Sequence, residues 1–336
     1  MIHIHKIICK KISEEIGKMD CSFFSGISGL LLFYSLCNKR IESQIMDMMY
    51  NKIVDADKIG MTVSMNGWIG IGIAIEKSLS VSDSQTIDYV LSDVDAIIFK
   101  ASDIVEPYHR ENIHTLISSL FYFTQRIKDT KIDDNKKEIY TRQTIYLVNF
   151  IYSHLDNVFW KEQLVFHFFQ YKYLFMYCMI ELFKIGIHRK KITHIYNEII
   201  YYLFCNFPVM HYNRLQLLYM VTIIMENITG LSYKWKELQD LLIHNISQKQ
   251  IEKTEFKSRQ ILFSNGYAGC SWLMNECNKH LERQVFQVSY RCLLNKILNS
   301  NIFNDIRRND GYYVFNLTDM ALSAHVLGLL KREVYE

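Results

Sequence analysis

Three short stretches of this chain share one pattern: a polar residue, Gly, two residues, Gly, then an apolar run. They are "FSGISGLLL" with Gly26 and Gly29, "MNGWIGIGI" with Gly67 and Gly70, and "SNGYAGCSW" with Gly266 and Gly269. The chain holds only 13 glycines in 336 residues, so six of them in one motif is a strong constraint. Gly26 and Gly67 lie 41 positions apart, about the length of one helical hairpin. Gly67 and Gly266 lie 199 apart, close to five such periods, which places all three motifs on one repeating frame.

Between the motifs the apolar residues recur at helical spacing. Ile41, Ile45, Met48, Met49 and Ile53 form one such series. Ile87, Val90, Leu91, Val94, Ile97 and Ile98 form another. Strict alternation is rare, so the fold class expected is all-α. The pattern predicts fourteen helices, over 2–18, 27–38, 42–59, 67–79, 84–101, 111–128, 136–155, 161–186, 190–206, 212–229, 234–248, 268–281, 283–299 and 318–333. Gly17, Gly186 and Gly230 each follow an apolar run, where a helix ends on a left-handed residue. Ser82 to Ser84 are N-cap candidates for the helix at 84–101.

The helix that opens at Gly67 is apolar on all sides up to Glu76, which predicts burial all round. The helix at 42–59 has a charged face and is expected outside it. Fourteen helices in alternating outer and inner roles make seven hairpins. Seven hairpins close into a ring, an (α/α)7 double toroid, in preference to an open solenoid, because the inner helices read as buried on every side. Glycine suits the inner-helix mouths because backbone turns crowd there and some call for positive φ.

Two prolines and no Gly/Ser-rich tract leave no visible linker, so a single domain over 1–336 is expected. The net charge of +3 is spread along the chain and argues against a nucleic-acid partner. The most apolar stretch, residues 164–183, carries His167, Gln170, Lys172 and Glu181, too many polar groups for a membrane span. The opening "MIHIHKIICKKISEEIGK" lacks the continuous apolar core of a signal peptide. Eight cysteines without any C-x-x-C pair read as reduced, buried thiols of a cytoplasmic protein. Among them Cys270, after Gly269 in the first turn of an apolar helix, reads as a small core residue and not a nucleophile.

These glycine motifs, in "FFSGISGLLLFYSL", "MNGWIGIGIAIEKSL" and "LFSNGYAGCSWLM", resemble those of the lanthionine synthetase C-like proteins. The tract from Phe23 to Phe99, with "SDVDAIIF", is most similar to the bacterial branch associated with peptide maturation. The resemblance covers residues 20–100 and 258–332 and is weak over 105–255. It implies a toroid of seven outer and seven inner helices. It also implies a zinc ion that lowers the pKa of a peptide cysteine, whose thiolate adds to dehydroalanine or dehydrobutyrine to form a thioether.

In the family the zinc ligands are a Cys in an earlier inner loop and a Cys-His pair directly before a later Gly-x-x-Gly. Ser264 and Asn265 stand where that pair belongs, and neither is a zinc ligand. Cys205 and His211 lie one repeat upstream without a partner. The expectation is therefore a zinc-less member without a cofactor, whose partner is a precursor peptide or a neighbouring maturation enzyme. Asn66, Trp68, Asn265 and Tyr267 are the candidate peptide-binding mouth. Asp20, His109 and His211 are weak catalytic candidates. His114 reads as a solvated loop residue and His325 as a core histidine. Two alternatives stay open. One is an active cyclase with displaced zinc ligands. The other is a toroid-type carbohydrate enzyme, with candidate carboxylates at Asp103, Glu106, Asp310 and Asp319.

Overall fold

The computed structural model describes residues 2–36, 51–52, 60–78, 84–103, 110–129, 132–155, 157–256, 261–308 and 317–335. Among them there are sixteen α-helical segments and no strand. In order they are α1 (Ile2–Glu15), α2 (Ile27–Leu36), α3 (Trp68–Ser78), α4 (Ser84–Ser102), α5 (Arg110–Lys128), α6 (Asp134–His154), α7 (Asn157–Lys161) and α8 (Tyr171–Lys184). There follow α9 (Arg189–Cys205), α10 (His211–Asn227), α11 (Lys234–Asn245), the single turn α12 (Gln248–Gln250), α13 (Tyr267–His280), α14 (Tyr290–Leu298), α15 (Asn301–Arg308) and α16 (Leu317–Tyr335). No helix among the described residues is long and apolar enough to cross a membrane.

Burial divides the helices as their sequences do. In α3 every side chain from Trp68 to Glu76 is buried. In α10 burial runs round the helix, through Leu215, Gln216, Leu217 and Leu218 in succession. By contrast α9 buries only Ile192, Ile195, Tyr196, Ile199, Ile200 and Leu203, one stripe at helical spacing, and α11 buries Trp235, Leu238, Gln239 and Leu242. Helices buried all round thus alternate with striped ones.

The chain forms two compact units, Met1–Thr144 with Leu298–Gly328, and Ile145–Ile297 with Leu329–Glu336. All three boundaries fall inside helices, α6, α14 and α16, so no Gly- or Pro-rich linker marks them. In the first unit α2 packs on α3, α3 on α4 and α5, and α1 on α15. In the second α10 packs on α8, α11 and α13, while α9 packs on α7, α8 and α11.

Two departures from the sequence pattern have identifiable causes. The helix expected at 161–186 begins only at Tyr171. Residues 163–167 are neither helix nor turn, and burial alternates along them, with Leu164 and Phe166 inside and Gln163 and Val165 out. Side-chain amides of α10 take the place of the helical hydrogen bonds. The Phe166 N–H donates to Asn213 Oδ1 at 2.7 Å, the His167 N–H to Gln216 Oε1 at 3.0 Å, and Gln216 Nε2 donates back to the His167 carbonyl at 2.9 Å. The helix expected at 283–299 starts at Tyr290, because Asn278 holds the preceding loop. Its Oδ1 accepts from Val285 N and Phe286 N, and its Nδ2 donates to the Phe286 carbonyl. A further helix, α15, and a π-helical turn at Ile251–Glu255 occupy stretches expected to be loop. The expected helix at 42–59 lies, except for residues 51–52, outside the described residues, as does the N-cap candidate Ser82.

Candidate functional site

The Gly-x-x-Gly loops share a local geometry. Before α2, α3 and α13 the chain folds back, so that a carbonyl five or six residues upstream meets the second glycine. A Cβ on Gly29 would lie 2.0 Å from the Phe23 carbonyl oxygen. On Gly70 it would lie 2.2 Å from that of Met65, and on Gly269 2.1 Å from that of Phe263. The first glycines of the two N-terminal loops are as tight. A Cβ on Gly26 would meet Asp20 Oδ1 at 2.2 Å, and one on Gly67 the Thr62 carbonyl oxygen at 2.0 Å. Real Cβ atoms do not approach so closely, so glycine is needed for space. The expectation that some of these glycines need positive φ is corrected. Positive φ among the described glycines occurs at Gly60, Gly186 and Gly230, while Gly266 is extended at φ −130°. Gly186 (φ +91°) and Gly230 (φ +77°) do follow helices α8 and α10, whereas Gly17 lies in a 3-10 turn, Ile16–Lys18, without positive φ.

The first two loops are joined. The Phe24 N–H donates to Asn66 Oδ1 at 2.9 Å, and the Phe23 side chain lies 2.5 Å from where a Gly70 Cβ would be. Asp20 Oδ1 accepts from the Ser22 N–H at 2.9 Å and the Ser22 hydroxyl at 2.6 Å, while its carbonyl accepts from Ile27 N. Asp20 is thus the residue that shapes the first loop. Cys21 is buried beside it, with Sγ 2.9 Å from the Lys52 carbonyl oxygen.

In the second unit the third loop meets the non-helical segment 163–168. The Phe168 N–H donates to the Ser264 carbonyl at 3.4 Å, and the Phe168 ring stacks on Phe263 at 4.6 Å, with Trp272 edge-on to both. Of the candidate mouth residues, Asn66 and Asn265 are exposed. Trp68 and Tyr267 are buried. The Tyr267 hydroxyl lies 3.2 Å from Glu252 Oε1 and 3.4 Å from Cys292 Sγ, with Lys296 above its ring, so this side chain serves the packing of α13.

His211 opens α10. Its N–H and that of Tyr212 donate to the Glu255 carboxylate at 2.7 and 2.9 Å, an anion placed at a helix N-terminus. Its Nδ1 accepts from the Ser247 N–H at 3.2 Å and lies 3.0 Å from the Asn245 carbonyl. Cys205 is exposed at the end of α9. No group of three or more His, Cys, Asp or Glu that could hold a metal ion occurs among the described residues. Cys270 is fully buried, and burial first, then the Glu255 charge, pushes its thiol well above the ordinary value. It stays protonated and is no nucleophile. His325 lies edge-on to the Phe33 ring. Asp103 is exposed beyond α4, and Asp319 is buried in the first turn of α16. His109, Glu106 and Asp310 lie outside the described residues.

The amide clamp of Asn213 and Gln216 escaped the sequence reading. It announces itself only as two polar residues in an apolar helix. Chemically, the loops offer hydroxyls, amides and aromatic rings, which suit binding. Among the described residues they do not bring together a thiolate, an imidazole and a carboxylate. No protein-family model, curated protein or solved structure matches the chain.

Proposed function

We propose that this chain is an (α/α)7 double toroid of the lanthionine synthetase C-like type, and that it binds a precursor peptide or a partner maturation enzyme without zinc-dependent cyclase chemistry. The common geometry of the three Gly-x-x-Gly loops carries the reading, since one fold-back recurs on one 41-residue frame. The alternation of helices supports it. In this reading helices α16, α2, α3, α5, α8, α10 and α13 take the seven inner places, and the hydrogen bond from Thr318 of α16 to Gly26, just before α2, within one unit supports it. The chemistry of the third loop supports the absence of cyclase activity. Ser264 and Asn265 put a hydroxyl and an amide where the resemblance calls for a thiolate and an imidazole.

The test is elemental analysis of the purified protein, together with incubation against a dehydrated, cysteine-containing peptide. Less than about one zinc per ten chains and no thioether are expected. One zinc per chain, lost on Cys205→Ala or His211→Ala, would show a displaced metal site. Thioether formation by the protein alone would establish the cyclase.

A further inference from the structure

The second unit contains a cleft of about 580 Å³, at the far end of α13 from the third Gly-x-x-Gly loop, between the C-terminal part of α10, α11 and the loop that follows α13. Its size suits a ligand of a few residues. The cleft is built by interactions already in place. Thr222 and Gln239 lie on its wall, both buried, with Gln239 Nε2 donating to Thr222 Oγ1 at 3.1 Å. Lys236 Nζ donates to Gln239 Oε1 at 3.1 Å and pairs with Asp240 at 3.2 Å. Glu226 pairs with His280 Nδ1 at 2.9 Å. The loop 281–286 that forms the third wall is pinned by the three hydrogen bonds of Asn278.

The lining limits what can bind. Met225, Ile243, Leu281 and Val285 supply an apolar surface. Three acidic residues, Glu226, Asp240 and Glu282, face two basic ones, Lys236 and Arg283, beside His280. Such a balance favours neither a polyanion nor a polycation. Two of the acids are already paired. Among the described residues Glu282 and Arg283 have no hydrogen-bond or ion-pair partner, so the rim offers one carboxylate and one guanidinium as neighbours. The Thr222–Gln239 pair is already satisfied within the wall, so the groups left to recognise a ligand are the apolar surface and the two rim charges.

We infer that the cleft is a docking site for a short peptide segment in which an apolar side chain is flanked by one basic and one acidic residue. The basic group pairs with Glu282, the acidic group with Arg283, and the apolar side chain lies on Met225, Ile243, Leu281 and Val285. This deepens the proposed function by giving the peptide a place of attachment separate from the loops.

The experiment is a methyl-NMR titration of the full chain with the tripeptides Lys-Leu-Glu and Ser-Leu-Ser, read at the methyl groups of Met225 and Ile243. Lys-Leu-Glu is expected to shift both signals saturably at about millimolar concentration. Ser-Leu-Ser should bind about fivefold more weakly, the value of two exposed ion pairs; Arg283→Ala should reduce the difference, and the double variant Glu282→Gln, Arg283→Ala should remove it. Absence of any shift, or equal binding of both peptides, overturns the inference. So does a charge preference that survives undiminished in the double variant Glu282→Gln, Arg283→Ala. The zinc and thioether measurements do not involve the cleft, so the inference and the functional reading fail separately.

Discussion

The Thr318 hydroxyl donates to the Gly26 carbonyl oxygen at 3.0 Å, across 292 positions of sequence. The bond is buried, and the Thr318 methyl lies where a Cβ on Gly29 would be, at 2.5 Å. It ties the turn before α2 to the start of α16 within one unit. Thr318→Val keeps the shape and removes the donor, leaving a buried carbonyl unsatisfied. It should lower stability by about 1–3 kcal/mol in a denaturant titration. Unchanged stability would mean that water reaches Gly26.

Glycine in the third motif is required by space. Gly269→Ala places a methyl 2.1 Å from the Phe263 carbonyl and 2.7 Å from the Phe168 ring, so the backbone must move. We expect a loss of about 1–3 kcal/mol by thermal melting. Gly17→Ala is the control. It has no atom within 4 Å and no positive φ, and should leave the melting temperature unchanged or raise it.

In the first unit Asp95 is the hub of a buried polar cluster. The Tyr122 and Tyr140 hydroxyls donate to its two oxygens at 2.5 and 2.6 Å, and Arg126 lies at 3.5 Å. Asp95→Leu removes the acceptor of two tyrosine hydroxyls and the nearer of the two carboxylates beside the fully buried Arg126, with Asp129 at 3.9 Å remaining, and should cost about 3–5 kcal/mol. Substituting Tyr140→Phe as well should add less than its cost alone, because the two share one partner. Strict additivity would contradict the hub.

Alkaline stability follows from the tyrosines. Burial, with the Asp95 charge next, raises the Tyr122 and Tyr140 hydroxyls, and burial pushes Tyr219 to about 12. The unfolded chain releases these protons first, near pH 10. Stability is therefore complete below about pH 10 and falls as pH rises from there towards the folded values. Denaturant midpoints measured between about pH 9 and 11 should show this slope, reduced in Tyr122→Phe.

Acid stability has a contribution from His167. Burial lowers its pKa, and its Nδ1 accepts from the Phe169 N–H at 3.2 Å. The unfolded chain binds the proton first, so this contribution is complete above about pH 6.5 and diminishes as pH falls below it. His167→Asn retains an acceptor without the titration. Its midpoints between about pH 7 and 5 should fall less steeply than those of the natural chain. Equal slopes would place the acid sensitivity elsewhere.

The sequence by itself determined most of the helices and the burial of one of them. Periodicity located α1 to α6, α9 to α11, α13 and α16, and all-round apolarity marked α3 as buried on every side, because local propensity and burial act on the same few turns. The repeat of Gly-x-x-Gly was legible as a frame. What only the tertiary structure decided are relations between distant residues. The run "QLVFHFF" has enough apolar residues for a helix, yet Asn213 and Gln216, about fifty positions away, draw its backbone out of one. The motif glycines looked like positions for positive φ and are instead points of close approach to a carbonyl. Tyr267 looked like a mouth residue and is buried against Glu252 and Cys292. Each outcome depends on which atoms fill the space around a side chain, and a one-dimensional pattern carries no record of that.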